Sequence, residues 1–375
     1  MISNSYKIRM QKIQERLKET SYDAYLICNA ENRYYLTGFF ADDYHIDEIS
    51  GYLFIKENDV LLAVDSRYIT QAEAQTGDIE VLCYNKLPEK MVTEVLKKMS
   101  ISSLGFEKSR ISVGLYEKLQ RTILDQNLKV RLIPDDGLVE ADRLTKAPEE
   151  IDAIQKSLHI AEQAFLKTIA SLTPTMTEKE IAWLLETEIR QLGADSLSFP
   201  TIVAAGPNAA LPHATPSDQV VGENTPILFD WGARMNGYCS DTSRTVVLGK
   251  PGNDFVNAFK ALVDTQHLVT EEMASEKNTK VITQKAHDYL EKRGFKATKF
   301  AHGLGHGIGL ATHEAPSLSL LREKTLKHNT IVTVEPGIYI PNKWGIRVEN
   351  MVVVKNDSVE VLNQLPVHYD ILNIL

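Results

Sequence analysis

Residues 301–316, which read AHGLGHGIGLATHEAP, constrain this chain more than any other stretch of its sequence. Three histidines, His302, His306 and His313, lie four and then seven residues apart among alternating glycines. Histidine is the commonest metal ligand and titrates near neutral pH, and glycine lets a backbone turn sharply or approach an ion closely. The run therefore predicts a loop at a metal or catalytic site. A glycine-rich turn with surface histidines is the alternative.

Acidic residues next to apolar strands are the second feature. Asp230 follows the apolar run ILF, Glu335 follows TIVTV, and Glu349 interrupts a strand predicted over 346–354. Asp241 stands eleven residues after Asp230, on the second arm of a predicted hairpin. A buried carboxylate without a partner costs several kcal/mol or shifts its pKa until it is neutral. These acids therefore need cationic partners.

Shared metal ions explain the acids better than separate salt bridges. One acid alone could pair with Arg244 or Arg347, but four carboxylates balance two divalent ions, and one neutral imidazole completes the site. Ligation rich in carboxylates favours Mn²⁺, with Co²⁺, Fe²⁺ or Zn²⁺ as alternatives. Two close metal ions lower the pKa of a shared water and polarise a carbonyl group. The pattern therefore predicts hydrolysis of an amide or an ester.

Length and composition narrow the class of protein. A chain of 375 residues favours two domains, and a net charge of -9 argues against general nucleic-acid binding. The sequence contains no apolar run long enough for a membrane span, and its polar start lacks the core of a signal peptide. The three cysteines are far apart and indicate neither disulfides nor a thiolate zinc site. We therefore expect a cytoplasmic protein, with Cys28 and Cys83 in its core.

Hydrophobic periodicity predicts two domains, residues 1–145 and 146–375. Strands alternate with helices in the first, which indicates an α/β domain with a parallel or mixed sheet. Residues 31–40, ENRYYLTGFF, are predicted to form a polar turn before an aromatic stretch, and Asp65 or Ser66 is predicted to cap a helix. Pro148 suits the first turn of a long helix that opens the second domain.

Around the acids and histidines described above, the sequence resembles the pita-bread metallopeptidases. This family comprises aminopeptidase P, prolidases and methionine aminopeptidases, with creatinase as a metal-free relative. The resemblance rests on FDWGARMNGYCSDTSRT, HGLGHGIGLATHEAP, TVEPGIYIP and GIRVEN, and more weakly on ENRYYLTGF and DSRY in the first domain. It implies a creatinase-like α/β amino-terminal domain with a mixed sheet, followed by an α+β pita-bread catalytic domain. It also implies a homodimer.

The resemblance implies a role for each residue of the family's metal motif. Asp230 would chelate one metal ion, whereas Asp241 and Glu349 would bridge both. His306 and Glu335 would hold the second ion, and Glu335 would also accept the proton of the nucleophile.

Further residues match positions around the substrate in that family. His213 and His313 would contact the substrate, His302 would lie beside the site, and Arg347 would line the pocket. The chain also departs from the usual pattern at several positions. Thr312 replaces a usual Val or Ile, Asn350 replaces a common Asp, and Trp231 and Ser243 are less usual.

The function implied is cleavage of the bond between an amino-terminal residue and proline, as in Xaa-Pro aminopeptidases, with a proline-containing peptide as substrate. A prolidase, which cleaves Xaa-Pro dipeptides only, is the alternative. Methionine aminopeptidases usually lack the first domain, and creatinase lacks the metal ligands. A non-catalytic peptide-binding module on the same fold would usually have lost ligands, and all are present here.

Overall fold

The computed structural model describes residues 4–43, 45–295 and 302–375. The chain divides into two compact units, Met1–Asp142 and Arg143–Leu375. Within the described ranges, no helix is both long and apolar enough to cross a membrane.

The first unit is built on one six-stranded mixed sheet in the order β4-β3-β2-β1-β5-β6. Strands β1, β2 and β3 pair antiparallel, whereas β1–β5, β3–β4 and β5–β6 pair parallel. This confirms the predicted mixed α/β sheet. Its elements, with the short helix at the boundary, are α1 Asn4–Leu17, β1 Ala24–Ile27, α2 Ala30–Thr37, β2 Tyr52–Lys56, β3 Val60–Asp65, α3 Ile69–Thr76, β4 Glu80–Tyr84, α4 Pro88–Lys98, β5 Ser103–Glu107, α5 Val113–Asp125, β6 Arg131–Asp135 and α6 Glu140–Arg143.

Several local predictions for this unit were wrong. The predicted turn in ENRYYLTGFF is helix α2, because the Asn29 side chain caps its amino terminus and Gly38, at φ 75°, ends it. Asp65 does not cap α3, since its carboxylate accepts hydrogen bonds from the backbone and guanidinium of Arg67 instead. Cys83 is exposed because its strand β4 lies at the edge of the sheet, whereas Cys28 is buried as predicted.

In the part of the second unit that the structure describes, four long helices combine with four sheets of two to five strands. The sheet orders are β11-β10-β7, β12-β9-β8, β14-β13-β15-β18-β19 and β16-β17. The elements are α7 Pro148–Ala170, α8 Glu178–Gln191, β7 Ser196–Leu197, β8 Ile202–Ala205, β9 Pro226–Trp231, β10 Ala233–Met235, β11 Tyr238–Cys239, β12 Thr242–Val247, α9 Asn253–Glu272, α10 Thr279–Lys292, β13 Gly305–Gly307, β14 Glu314–Leu318, β15 Thr330–Val334, β16 Gly337–Ile340, β17 Trp344–Arg347, β18 Asn350–Val354 and β19 Val359–Val361.

The sheet containing β8 and β9 is buried on both faces. Successive side chains of a strand point to opposite faces. Val203 and Ala205 of β8 accordingly belong to the hydrophobic core formed with α7 and α8, while Ile202 and Ala204 belong to the core formed with α9 and α10. Burial on both faces explains why β8 and β9 are almost entirely apolar, and it makes an acid such as Asp230 conspicuous in the sequence.

The sequence predicted that Glu349 lies inside a single strand, and this prediction was wrong. The predicted strand over 346–354 is two strands, β17 and β18, which belong to different sheets. Glu349 occupies the gap between them, and its N–H donates to the carbonyl of Ser243 at 3.1 Å. The change of sheet interrupts the ladder at this residue.

Candidate metal centre and surrounding cavity

Two pairs of antiparallel strands, β9 with β12 and β15 with β18, bring the four acids together in one cluster. Ser243 of β12 pairs with Asp230 of β9, and Asp241 immediately precedes β12, so the predicted hairpin holds two of the acids together. Glu335 directly follows β15, and Glu349 directly precedes β18, which pairs antiparallel with β15. Ends of paired strands therefore bring the other two acids together.

All nine candidate residues line a single cavity of about 650 Å³ in the second unit. They are His213, Asp230, Asp241, His302, His306, His313, Glu335, Arg347 and Glu349. The cavity therefore joins the acidic cluster to all the histidines singled out from the sequence.

His306 lies close to two of the four acids. Its Nε2 atom is 3.5 Å from Asp241 Oδ2 and 3.5 Å from Glu335 Oε1. One potential ligand atom from each of Asp241, His306 and Glu349 lies within 4.8 Å of the others. These separations suit groups that share a cation between them.

The electrostatics of the cluster are unfavourable without positive charge. Burial, reinforced by Glu349 and Asp230, raises the pKa of Asp241 well above its usual range. Burial together with Glu335 and Asp230 does the same to the pKa of Glu349, and burial also raises the pKa of Glu335. Like charges withdrawn from water destabilise one another, so the cluster favours bound cations.

The hydrogen bonding of the cluster also fits metal ions. Among the described residues, Asp230 Oδ1 and Glu349 Oε1 are buried and receive no hydrogen bond. Buried polar atoms without a partner are rare in native proteins and call for an explanation such as an ion. Oxygen atoms accompanied by one imidazole nitrogen form a donor set that suits Mn²⁺ and similar divalent ions. The residues present therefore fit a divalent metal centre.

Arg347 binds one of the four acids directly. Its Nη2 atom lies 2.5 Å from Asp230 Oδ2, and its Nε donates to Ser243 Oγ at 3.0 Å. Ser243 Oγ in turn donates to Glu349 Oε2 at 2.8 Å. The salt-bridge alternative thus applies to Asp230. The other candidate cation, Arg244, donates instead to backbone carbonyls, including that of Glu349, and to the side chain of Asn350.

The three histidines of the glycine-rich run differ in their surroundings. His306 and His313 lie against each other, with ring centroids 4.3 Å apart. His302 Nε2 is 3.0 Å from the hydroxyl of Tyr339. Burial lowers the pKa of all three imidazoles, which favours their neutral forms at pH 7. Neutral imidazole is the form that binds a metal or acts as both donor and acceptor.

The glycines of this run allow two strands to approach β13 closely. A Cβ atom on Gly305 would lie 2.0 Å from the carbonyl oxygen of Thr333 in β15. A Cβ atom on Gly307 would lie 2.2 Å from the carbonyl oxygen of Ala315 in β14. Both positions therefore require glycine, and this packing holds His306 beside the end of β15, which Glu335 follows.

Sequence reasoning missed two residues that organise the site. The hydroxyl of Tyr339 accepts a hydrogen bond from Arg347 Nη1 at 2.7 Å and also contacts His302. The hydroxyl of Thr333 accepts from the His306 backbone and donates to Glu335 Oε1 at 3.3 Å. Tyr339 lies four residues after Glu335 in the quoted segment TVEPGIYIP, which is the one sequence signal that could have drawn attention to it.

The cavity lining also includes apolar residues, which we call the apolar wall, and exposed residues, which we call the rim. Phe199, Pro200, Ile202 and Pro212 line the wall. The rim includes the exposed side chains of Leu321 and Arg322. The cavity lining thus combines a buried acidic cluster, apolar surface and exposed side chains.

Comparison with known proteins agrees with this arrangement. Residues 152–356 match Metallopeptidase family M24, and residues 9–145 match the Creatinase/Prolidase N-terminal domain. The structure is similar to that of an Xaa-Pro dipeptidase from Bacillus anthracis, with 30% identity, a TM-score of 0.88 and coverage of 97% of this chain and 99% of that one.

Two further relatives differ in their named activities. The structure of an X-Pro aminopeptidase from Thermotoga maritima MSB8 is 34% identical, with a TM-score of 0.83 and coverage of 95% of this chain and 99% of that one. An Xaa-Pro dipeptidase from Pyrococcus horikoshii is 31% identical, with coverage of 93% of this chain and 95% of the relative. The predicted fold, a creatinase-like domain followed by a pita-bread domain, is confirmed. The chain belongs to metallopeptidase family M24.

Proposed function

We propose that this protein is a metal-dependent Xaa-Pro aminopeptidase, which releases an amino-terminal residue that precedes proline. The observation that carries the proposal is the single cavity, which joins a buried carboxylate–histidine cluster to an apolar wall and an exposed rim. An apolar wall suits a proline ring, and an exposed rim leaves room for a peptide that continues beyond it. The relatives named for Xaa-Pro cleavage support the same bond specificity.

The metal centre would hold two divalent ions, with Mn²⁺ as the ion we propose. Asp230 would hold one ion, Asp241 and Glu349 would be shared, and His306 with Glu335 would hold the other. When bound, the ions lower the pKa of a water molecule and polarise the substrate carbonyl.

The remaining site residues would handle the proton and the substrate. Glu335 would accept the proton of the attacking water, because its carboxylate lies among the proposed metal ligands, with Oε1 3.5 Å from His306 Nε2. His213 and His313 would donate hydrogen bonds to the substrate, where negative charge develops on the carbonyl oxygen. Arg347 and the pair His302–Tyr339 would keep these groups in position through the hydrogen bonds described above.

One observation favours a second candidate, an Xaa-Pro dipeptidase. Arg322 places a guanidinium group at the rim of the cavity. Guanidinium binds carboxylates strongly and with defined geometry. If the carboxylate of a dipeptide reaches this group, the protein would prefer dipeptides to longer chains.

The experiment that decides between these activities compares Ala-Pro-Ala, Ala-Pro and Ala-Ala-Ala as substrates of the Mn²⁺-loaded protein. Release of alanine from Ala-Pro-Ala but not from Ala-Ala-Ala supports the aminopeptidase. Hydrolysis of Ala-Pro alone supports the dipeptidase, and Arg322→Met should then raise the KM for Ala-Pro. Hydrolysis of neither proline peptide contradicts both proposals.

A further inference from the structure

We propose that the hydroxyl of Thr312 is a positioning group that fixes His313 relative to the apolar wall of the cavity and thereby sharpens selection for a proline ring. This inference rests on the proposed Xaa-Pro specificity. Thr312 directly precedes His313 and is only 9% exposed. Its hydroxyl donates to the backbone carbonyl of Ser198 at 3.0 Å.

Ser198 directly precedes the apolar wall and is held by two hydrogen bonds of its own. Its N–H donates to the carbonyl of Gly232 at 3.0 Å, and its hydroxyl donates to the carbonyl of Ala233 at 2.6 Å. The next residues, Phe199 and Pro200, already line the cavity. The wall is thus tied to the segment that follows Asp230 and β9.

The loop that carries His313 has hydrogen bonds of its own to β11 and β14. The N–H of Cys239 donates to the carbonyl of Gly309 at 2.8 Å. The N–H of Ala311 donates to the carboxylate of Glu314 at 2.9 Å. These contacts fix the loop against β11 and β14 but do not involve Ser198 or the apolar wall. Both segments are anchored to the sheet that contains β10 and β11, and the Thr312 hydroxyl adds a direct hydrogen bond between them.

The chemistry of position 312 makes the link specific to a hydroxyl. Valine has a similar shape to threonine but no hydrogen-bond donor, so it would leave the Ser198 carbonyl without this partner. The resemblance to the family indicates Val or Ile as the usual residue here, so Thr312→Val should fold. Without the link, we expect the wall and His313 to vary in spacing, which weakens the preference for a ring that must fit between them.

The test measures selectivity, which a purely structural role would not change. Ala-Pro-Ala is compared with Ala-(N-methyl-Ala)-Ala, which keeps the tertiary amide but lacks the proline ring; the matching dipeptides replace them if the protein cleaves only dipeptides. Thr312→Val should reduce the ratio of kcat/KM for the two substrates at least threefold, mainly through a higher KM for the proline peptide. Thr312→Ser, which keeps the hydroxyl, should retain the wild-type ratio.

Two outcomes overturn the inference, and they differ from failure of the proposed function. A Thr312→Val ratio equal to that of wild type, or a Thr312→Ser ratio reduced to the same extent as Thr312→Val, shows that the hydroxyl does not set selectivity. Thr312→Ala, which removes the hydroxyl without adding bulk, should lower the ratio as Thr312→Val does. If wild-type protein cleaves neither proline peptide, it is the proposed function that fails. Bound Mn²⁺ is measured in every variant, so that kinetic constants refer to equally loaded sites.

Discussion

Arg347 and Asp230 form an ion pair at the edge of the acidic cluster, with 2.5 Å between Nη2 and Oδ2. The same guanidinium binds Ser243 through Nε, and its Nη1 donates to both Tyr339 and the carbonyl of Pro212, next to His213. Arg347 therefore connects a proposed metal ligand to the residues that would contact the substrate. Its planar fork makes these contacts simultaneously, which a lysine ammonium could not reproduce.

Arg347→Met should lower kcat/KM by roughly 10- to 100-fold, because the lost hydrogen bond to the charged Asp230 corresponds to about 1.5–3 kcal/mol. Arg347→Lys should recover only part of the loss, since it restores the charge but not the geometry. Steady-state kinetics on the Mn²⁺-loaded variants measures both effects. Equal activity of the lysine variant and wild type would show that charge alone is needed.

Glu335→Gln should lower kcat by about 10²- to 10⁴-fold, the range typical of a lost general base. Glutamine retains the shape and one oxygen ligand but cannot accept the proton. Glu360→Gln, which changes an exposed glutamate on β19, is the matched control and should retain wild-type kcat. If Glu335→Gln binds two Mn²⁺ ions and keeps more than a tenth of wild-type kcat, Glu335 is not the proton acceptor.

Removal of metal should abolish turnover and lower the melting temperature. The acidic cluster contains buried oxygen atoms without hydrogen-bond donors, which bound cations would satisfy. A metal ion whose free concentration is 100 times its dissociation constant stabilises the folded state by about 2.7 kcal/mol. Dialysis against a chelator, followed by titration with Mn²⁺ and calorimetry, measures both changes. The double variant Asp241→Asn, Glu349→Gln should show no such increase in melting temperature with Mn²⁺.

Glu314 should give the protein a pH-dependent stability. Although burial opposes ionisation, Arg143, Lys146 and the N–H of Ala311 lower the pKa of Glu314 to about 2. A carboxylate with a depressed folded-state pKa stabilises the fold above its unfolded-state pKa and loses that contribution as pH falls through the folded-state value. The contribution should therefore be complete above about pH 4.5 and be lost between about pH 4.5 and 2.

The variant Glu314→Gln isolates this contribution. It keeps an oxygen acceptor for Ala311 but removes the Glu314 charge from beside the buried Arg143 and Lys146. We expect it to lower the free energy of unfolding at pH 7 by about 3 kcal/mol, with the difference from wild type shrinking below about pH 4.5. Urea unfolding at several pH values measures this. A difference that stays constant down to pH 2.5 would contradict the proposed charge interaction.

The local sequence pattern was sufficient to predict features that depend on interactions between residues close in sequence. Acids at the ends of continuously apolar strands were recognisable because burial of both strand faces leaves no solvent for a charge. The helix opened by Pro148 begins where the sequence predicted, since proline suits a first-turn position. The same local reasoning failed for α2. Its polar residues were interpreted as a turn, although Asn29 caps a helix there.

Other features depended on pieces of chain that are distant in sequence. Glu349 lies between β17 and β18 because the chain changes sheet there, and a hydrophobic pattern does not distinguish one long strand from two short ones. The contacts of Tyr339 with His302 and of Thr312 with Ser198 join residues 37 and 114 positions apart.

The sequence by itself indicated the kind of chemistry, because carboxylates next to apolar strands, together with histidines, favour bound cations as their charge partners. The tertiary structure alone decided the hydrogen-bond partners within the site. A hydrogen bond requires two groups to meet within about 3 Å, and for Arg347 with Asp230, or Thr312 with Ser198, that distance is set by how separate strands and loops pack.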